Sequence, residues 1–273
     1  MTYEEFWRPL TQLYEYREAK AVAQLVFEQR FHLSLSDVLC GRTGDDAELR
    51  QIQQRLLQGE PVQYVLRLAE FGPHIFHVAP GVLIPRPETY ELCQWINSGS
   101  TEGQEYGGTR ILDIGTGSGC IAITLALDIP RAKVTAWDIS ATALEIARKN
   151  AQQLNADVNF QEVDILSPLN SEFDLIVSNP PYICNKERTE MEQNVLEYEP
   201  HIALFVPDND PLLFYRAIAK YGQTALNTGG RLYFEINPLY ADDMREMLSM
   251  MSYHDIEIRE DQYGKQRMIR AQR

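Results

Sequence analysis

From Arg110 onward the chain alternates short apolar or β-branched runs with segments of helical periodicity, and that alternation constrains its fold more than any other feature. Strands are predicted at Arg110 to Ile114, Lys133 to Trp137, Asn159 to Val163, Phe173 to Val177 and Arg231 to Ile236. Helices are predicted at Cys120 to Leu127, Ala141 to Leu154, Leu212 to Leu226 and Leu239 to Met250. Strands joined through helices lie parallel with helices on both faces, so the fold class is α/β, with a doubly wound, mostly parallel sheet. Two closing strands, near His254 to Arg259 and Arg267 to Ala271, are joined through Gly264 too closely for a crossover and are predicted to pair antiparallel. In such sheets ligands bind outside the carboxyl ends of the strands.

Asp113-Ile114-Gly115-Thr116-Gly117-Ser118-Gly119 leaves the first of these strands and opens its helix. Glycines let the backbone turn tightly and approach a ligand, and the free N–H groups of a helix start favour a carboxylate or phosphate. The spacing is G-x-G-x-G, whereas the dinucleotide fingerprint G-x-G-x-x-G needs glycine where Cys120 stands. Gly115, Thr116, Gly117, Ser118 and Gly119 therefore resemble the S-adenosylmethionine loop of Rossmann-like methyltransferases. Asp138 ends the second strand, where an acid accepts both ribose hydroxyls or simply caps the helix after Ser140. Asp164-Ile165 ends the third strand at the adenine edge. There Asp164 is a candidate acceptor for an exocyclic amine and Ile165 a cover for the ring, against the plainer reading of a loop acid and a packing side chain.

Ser178-Asn179-Pro180-Pro181-Tyr182 ends the fourth strand. The two prolines fix their own φ angles and push their predecessors toward extended backbone, so Asn179 has little freedom. Asn-Pro-Pro-Tyr resembles the signature of methyltransferases that act on nitrogen conjugated to a π system, an amide or an exocyclic base amine. Such a nitrogen is a poor nucleophile. The Asn179 side-chain oxygen and the Pro180 carbonyl are placed to accept one N–H each, orienting the nitrogen and stabilising the charge that develops on it. Tyr182 is read as stacking on the flat face of the group, and Pro181 as part of the same substrate loop. Positioning and electrostatics, without nucleophilic or metal catalysis, are the expected mechanism; no metal site is read from the sequence.

Residues 2 to about 60 read as helices: Ala19, Val22, Ala23, Val26 and Phe27 fall at helical spacing, as do Leu49, Ile52, Leu56 and Leu57, and Gly59 and Pro61 stop the pattern. Between them Leu33 to Asp37 reads as a turn with Ser36 capping a short helix. Val62-Gln63-Tyr64-Val65-Leu66 and His74-Ile75-Phe76-His77-Val78 have β-type composition around the turn signal Phe71-Gly72-Pro73, predicting a hairpin. The domain plan is 1–60 a helical bundle, 61–87 a linking β-hairpin and 88–273 the α/β domain. The bundle is either a structural cap or a partner-recognition module, and the plan takes it as the latter. Arg86, held between Pro85 and Pro87 before a helix near Glu88 to Ile96, is either a solvated charge or a guanidinium that holds a partner's backbone or acid. Residues 98–109 read as a surface linker.

The formal charge of −14 opposes nucleic-acid binding, because no cluster of Lys and Arg is present to release counterions from phosphates. Cys40, Cys93, Cys120 and Cys184 are widely spaced, with no C-x-x-C pair, and read as small buried hydrophobes. Acid near the N-terminus and the lack of a long apolar run exclude a signal peptide and a spanning helix, so a cytoplasmic protein with no membrane association is expected.

Helical N-terminal region, Pro61-Val62-Gln63-Tyr64, Leu83-Ile84-Pro85-Arg86-Pro87-Glu88-Thr89, Asp113 to Ile121 and Asn179-Pro180-Pro181-Tyr182 together resemble the release-factor glutamine methyltransferase (HemK) family across nearly the whole chain. The resemblance implies a Rossmann-like class I S-adenosylmethionine-dependent methyltransferase fold and methylation of the side-chain amide nitrogen (N5) of the glutamine in the Gly-Gly-Gln motif of peptide chain release factors. The cofactor implied is S-adenosyl-L-methionine, held by Gly115 to Gly119, Asp138, Asp164, Ile165 and Asn179. Asn179, Pro180 and Tyr182 are the catalytic candidates, joined by Pro181 and Arg86 for substrate, and a monomer is expected. Such proteins usually carry glycine where Arg67 stands, and Glu-x-Gly where this chain has Glu235-Ile236-Asn237. Three alternatives stay open: a glutamine methyltransferase acting on a ribosomal protein, whose members usually carry Pro-Arg-Ser-Pro at Pro85 to Glu88; an adenine-N6 nucleic-acid methyltransferase; and a cofactor-binding protein without catalysis.

Overall fold

Thr2, Ser34 and Asp45 each accept the backbone N–H three residues ahead, so three N-terminal helices begin where a short polar side chain satisfies an orphan donor. In the computed structural model, which describes residues 1–99 and 108–273, these are α1 (Tyr3–Leu10), α3 (Leu35–Leu39) and α4 (Asp46–Leu57), with α2 (Tyr16–Phe31) and α5 (Val62–Leu66) completing the set. Their inner faces bury Phe6, Leu10, Val26, Phe27, Leu49 and Leu56 in one apolar cluster. Two expectations are corrected here. The cap of the short helix is Ser34, in a reciprocal capping box with Asp37, not Ser36. Val62 to Leu66 is helical, not a strand: Pro61 precedes its first turn, and Val62 and Val65, one turn apart, both enter the helical core. A five-residue segment carries no period long enough to tell the two apart, and packing decides.

The chain forms two compact units. One comprises Met1–Leu68, Val78–Pro80 and Met191–Tyr198; the other comprises Ala69–His77, Gly81–Glu190 and Glu199–Arg273. The hairpin is shorter than predicted, β1 (Leu68–Phe71) and β2 (His74–His77). Then follow α6 (Pro87–Ser98), β3 (Arg110–Ile114), α7 (Cys120–Asp128), β4 (Lys133–Asp138), α8 (Ala141–Leu154), β5 (Val158–Glu162), β6 (Phe173–Ser178), β7 (Ile183–Cys184), α9 (Gln193–Tyr198), β8 (Phe205–Val206), α10 (Leu213–Ala225), β9 (Leu226–Glu235), α11 (Ala241–Met250), β10 (His254–Glu260) and β11 (Gln266–Gln272). The linker expected over 98–109 falls mostly outside the described residues.

The larger sheet runs β10-β11-β9-β6-β3-β4-β5. β5, β4, β3, β6 and β9 are parallel, and β11 lies antiparallel to both β9 and β10. Apolar clusters cover both faces, one centred on Ile176, Leu232, Phe234 and α10, the other on Ile111, Val177, Tyr233 and α7. This is the doubly wound, mostly parallel arrangement predicted, and β3 and β6, buried on both faces, read as near-continuous apolar runs for that reason. The chain leaves β3 toward β4 and β5 and returns to β6 on its other side. That reversal opens a crevice at the carboxyl ends of β3 and β6. Cys93, Cys120 and Cys184 are buried as expected, but Cys40 is exposed.

Candidate functional site

The crevice is built from the loops that follow β3, β4, β5 and β6, together with the segment from Gly81 to Arg86. After β3 the backbone N–H groups of Gly115 and Thr116 donate to the Trp137 carbonyl at 2.8 and 3.0 Å, folding the glycine loop over the end of β4. Gly115, Gly117 and Gly119 all adopt positive φ, +74°, +54° and +83°. A Cβ at Gly119 would meet Ile123 at 2.9 Å and Ala147 at 3.1 Å, whereas at Gly115 and Gly117 it would project into open space. The first and second glycines thus leave backbone bare toward a ligand, and the third is demanded by helix packing.

Beneath the loop lies Asp113, fully buried. Its Oδ2 accepts from Thr116 Oγ1 at 2.6 Å and from the Ala122 N–H at 3.2 Å. Desolvation pushes its carboxyl up to about 7, against the opposing pull of those hydrogen bonds and with a smaller push from Asp138. Asp138, at the end of β4, is also raised by burial. Its two oxygens take the N–H groups of Gly117 and Ser140, at 2.8 and 2.9 Å. A carboxylate has about four acceptor positions, so Asp138 both fixes the glycine loop and retains lone pairs for a ligand's hydroxyls. β5 ends at Glu162, so Asp164 and Ile165 lie just beyond the strand rather than at its end. Asp164 accepts the Leu166 N–H at 2.9 Å, and Ile165 packs on the core.

At the end of β6, Ser178 Oγ donates to the Ile114 carbonyl at 2.6 Å, tying the root of the proline loop to that of the glycine loop. Asn179 Nδ2 donates to Thr89 Oγ1 at 3.1 Å, Thr89 Oγ1 to Glu235 Oε2 at 2.5 Å, and the Tyr182 hydroxyl to Glu235 Oε1 at 2.9 Å. Asn237 donates to the Tyr182 carbonyl at 3.2 Å and to the Glu187 carboxylate, bracing the same loop. The Arg86 guanidinium is paired with Glu199, whose other oxygen takes the Ile84 N–H at 3.0 Å.

These loops enclose a cavity of about 270 Å3 in the α/β unit. Gly115, Thr116, Gly117, Ser118, Asp138, Asp164, Ile165, Asn179, Pro180, Pro181 and Arg86 all line it. Gly119 and Tyr182 do not: Gly119 faces α8, and the Tyr182 ring packs on the core with its hydroxyl on Glu235. Among the described residues no three His, Cys, Asp or Glu side chains converge as metal ligands. What the cavity offers is a set of backbone and side-chain acceptors on stiff loops. Thr89 and Glu235 are the polar participants that sequence reasoning did not assign. Glu235 carried one signal, an acid closing the otherwise apolar Leu232-Tyr233-Phe234 of a strand whose neighbour is followed directly by Asn179.

The family model described as the methyltransferase small domain matches residues 103–200. A release factor glutamine methyltransferase of Bacteroides thetaiotaomicron is 47% identical over 97% of this chain and 96% of its own length. One from Flavobacterium psychrophilum is 42% identical over 98% and 96%. Among solved structures, a methyltransferase from Pyrococcus furiosus superposes with a TM-score of 0.54 at 20% identity, over 81% of this chain and 98% of that one, a likeness of fold. With identity of this order sustained along nearly the whole of both sequences, the chain belongs to the release factor glutamine methyltransferase family.

Proposed function

We propose that this protein transfers a methyl group from S-adenosyl-L-methionine to the side-chain amide nitrogen of the glutamine in the Gly-Gly-Gln motif of peptide chain release factors, acting as a cytoplasmic monomer. The observation that carries the reading is the convergence of Asn179 and Pro180 with the glycine loop and Asp138 on one cavity. The bare backbone at Gly115 and Gly117 and the free lone pairs of Asp138 suit an amino-acid portion and a ribose, with Asp164 and Ile165 at the base and Asn179 nearest the reacting end. When bound, S-adenosyl-L-methionine supplies a methyl group on a positively charged sulfur.

The protein's own part is positional. Asn179 Oδ1 and the Pro180 carbonyl accept the two N–H bonds of the incoming amide, which turns its delocalised lone pair toward the donor. As those N–H bonds acquire positive character, both acceptors stabilise the transition state more than the ground state. Orientation of this kind supplies up to about 7–11 kcal/mol. Pro180 suits its place because it presents a carbonyl with no competing N–H. The ion pair of Arg86 with Glu199 holds the Ile84 to Pro87 segment at the cavity's edge, where it meets the substrate loop. The helical unit serves partner recognition, and the net charge of −14 favours a protein substrate over nucleic acid.

The test is transfer of a tritiated methyl group to a purified release factor and to the same factor with Gln→Ala in its Gly-Gly-Gln motif. Labelling of the first and not the second is expected. No labelling by protein shown to bind the cofactor overturns the reading, and labelling of a ribosomal protein or DNA instead selects a different substrate.

A further inference from the structure

The geometry points to Thr89 and Glu235 as positioning residues that decide which end of the Asn179 side-chain amide faces the cavity. The inference rests on the proposed reading for its catalytic consequence, but its physical content is a statement about hydrogens in this chain alone. Asn179 has two nearly isosteric ends, an acceptor and a donor, and only the acceptor is useful to an incoming N–H. Loop stiffness from Pro180 and Pro181 fixes the backbone but does not choose between the ends.

The choice follows from counting hydrogens. Glu235 is buried at the end of β9, with Thr89 Oγ1 2.5 Å from one oxygen and the Tyr182 hydroxyl 2.9 Å from the other. An ionised carboxylate only accepts, so Thr89 and Tyr182 must each direct their single hydroxyl hydrogen at Glu235. Thr89 Oγ1 is then left with lone pairs alone. The atom 3.1 Å from it must be the amide nitrogen of Asn179, and Oδ1 takes the opposite side. Thr89 itself lines the cavity beside Asn179, so the relay reaches the site directly. Placing a proton on Glu235 Oε2 reverses the two bonds through Thr89 while Tyr182 still donates to Oε1: Glu235 donates to Thr89, Thr89 donates to Asn179 Oδ1, and the NH2 end turns to the cavity. A donor would then face the substrate's donor.

The titratable groups that face Glu235 are Glu88 and Cys93 on α6, Cys120 on α7, Tyr182 on the proline loop, Tyr215 on α10 and Arg267 on β11. Burial raises the Glu235 carboxyl above its ordinary range, opposed by the Thr89 and Tyr182 hydrogen bonds and by Arg267. Turnover is therefore expected to fall as pH drops through that raised value, with the charged form required.

Two measurements test the relay. In the methyl-transfer assay Thr89→Val, which keeps shape and removes the hydroxyl, is expected to lower kcat on the order of a hundredfold, with release-factor KM and cofactor Kd within about twofold of the parent. Thr89→Ser, which keeps the hydroxyl, is expected to retain turnover within about threefold. In 15N-labelled protein without added cofactor, the Asn179 side-chain NH2 signal, identified by its loss in Asn179→Ala, is expected to shift with pH in a single step that Thr89→Val abolishes. An Asn179 signal that ignores pH, a titration that survives in Thr89→Val, or a Ser variant as impaired as the Val variant overturns the inference. Protein that labels no release factor yet shows the Thr89-dependent NH2 titration sinks the functional reading and leaves the relay standing.

Discussion

Asn179 and Asp138 line one cavity but carry separable duties. Asp138 spends one acceptor position of each oxygen on the N–H groups of Gly117 and Ser140, so losing its carboxylate releases the glycine loop as well as any ribose contact. The Asn179 amide instead donates to Thr89, on α6. Asp138→Ala is therefore expected to weaken cofactor binding by roughly 10- to 100-fold, the cost of leaving buried donors unpaired. Asn179→Ala is expected to retain most cofactor affinity while methyl transfer disappears. Calorimetric titration of both variants beside the transfer assay checks the division; equal losses of affinity in the two would refute it.

Helix α5 shows how an element can be invisible in sequence and still leave a mark. It ends at Arg67 with φ +60°, left-handed backbone that costs an L side chain about 1 kcal/mol and that glycine adopts freely. The family resemblance leads to an expectation of glycine at this position, and the structure gives a reason for one: it is the C-terminal stop of a short helix, not a residue following a strand. The Arg67 carbonyl takes the Val78 N–H at 3.1 Å, a backbone bond that substitution leaves in place. Arg67→Gly is expected to raise stability by up to about 1 kcal/mol, read as a shift of denaturant midpoint without change of slope. A lower midpoint would show that the arginine side chain contributes more than its backbone costs. The same element marks the limit of what was legible. Strands β3 and β6 and helix α8 could be read to within a residue because period, length and flanking signals agreed. The five residues of α5 offered none of these, and composition pointed the wrong way. The glycine loop and Asn179 to Tyr182 were legible because each is a contiguous motif. The Thr89–Glu235 contact spans 146 positions and depends on α6 lying over the end of β9, which no local pattern encodes.

Across the α/β unit, the sheet order places the acids of adjacent strand ends on one edge, and the unit pays for that in its dependence on pH. Asp113 is the sharpest case, a carboxyl under the glycine loop pushed from its ordinary 3.8 up to about 7, chiefly by burial. A carboxyl with a raised native pKa holds its proton more tightly folded than unfolded. Between about pH 4 and pH 7 the native state therefore binds more protons, and the contribution of this group to stability falls as pH rises through that window and levels off above it. The direction is opposite to that of a surface carboxylate in an ion pair, whose contribution is lost on acidification. Asp113→Asn keeps an acceptor for Thr116 and Ala122 and removes the charge, so it is expected to be favoured over the parent progressively from pH 5 to pH 8. Linkage sets the change in the difference at a few kcal/mol. Denaturant unfolding of both proteins at the two pH values measures it: the buried thiols of Cys93 and Cys120, which also feel Asp113, are raised and do not titrate in this window, and Asp138, whose charge pushes on Asp113, gains from the lost charge in the same direction. A difference between parent and variant that is the same at pH 5 and pH 8 would mean that Asp113 is ionised throughout, held by the hydrogen bonds of Thr116 and Ala122 against the cost of its burial.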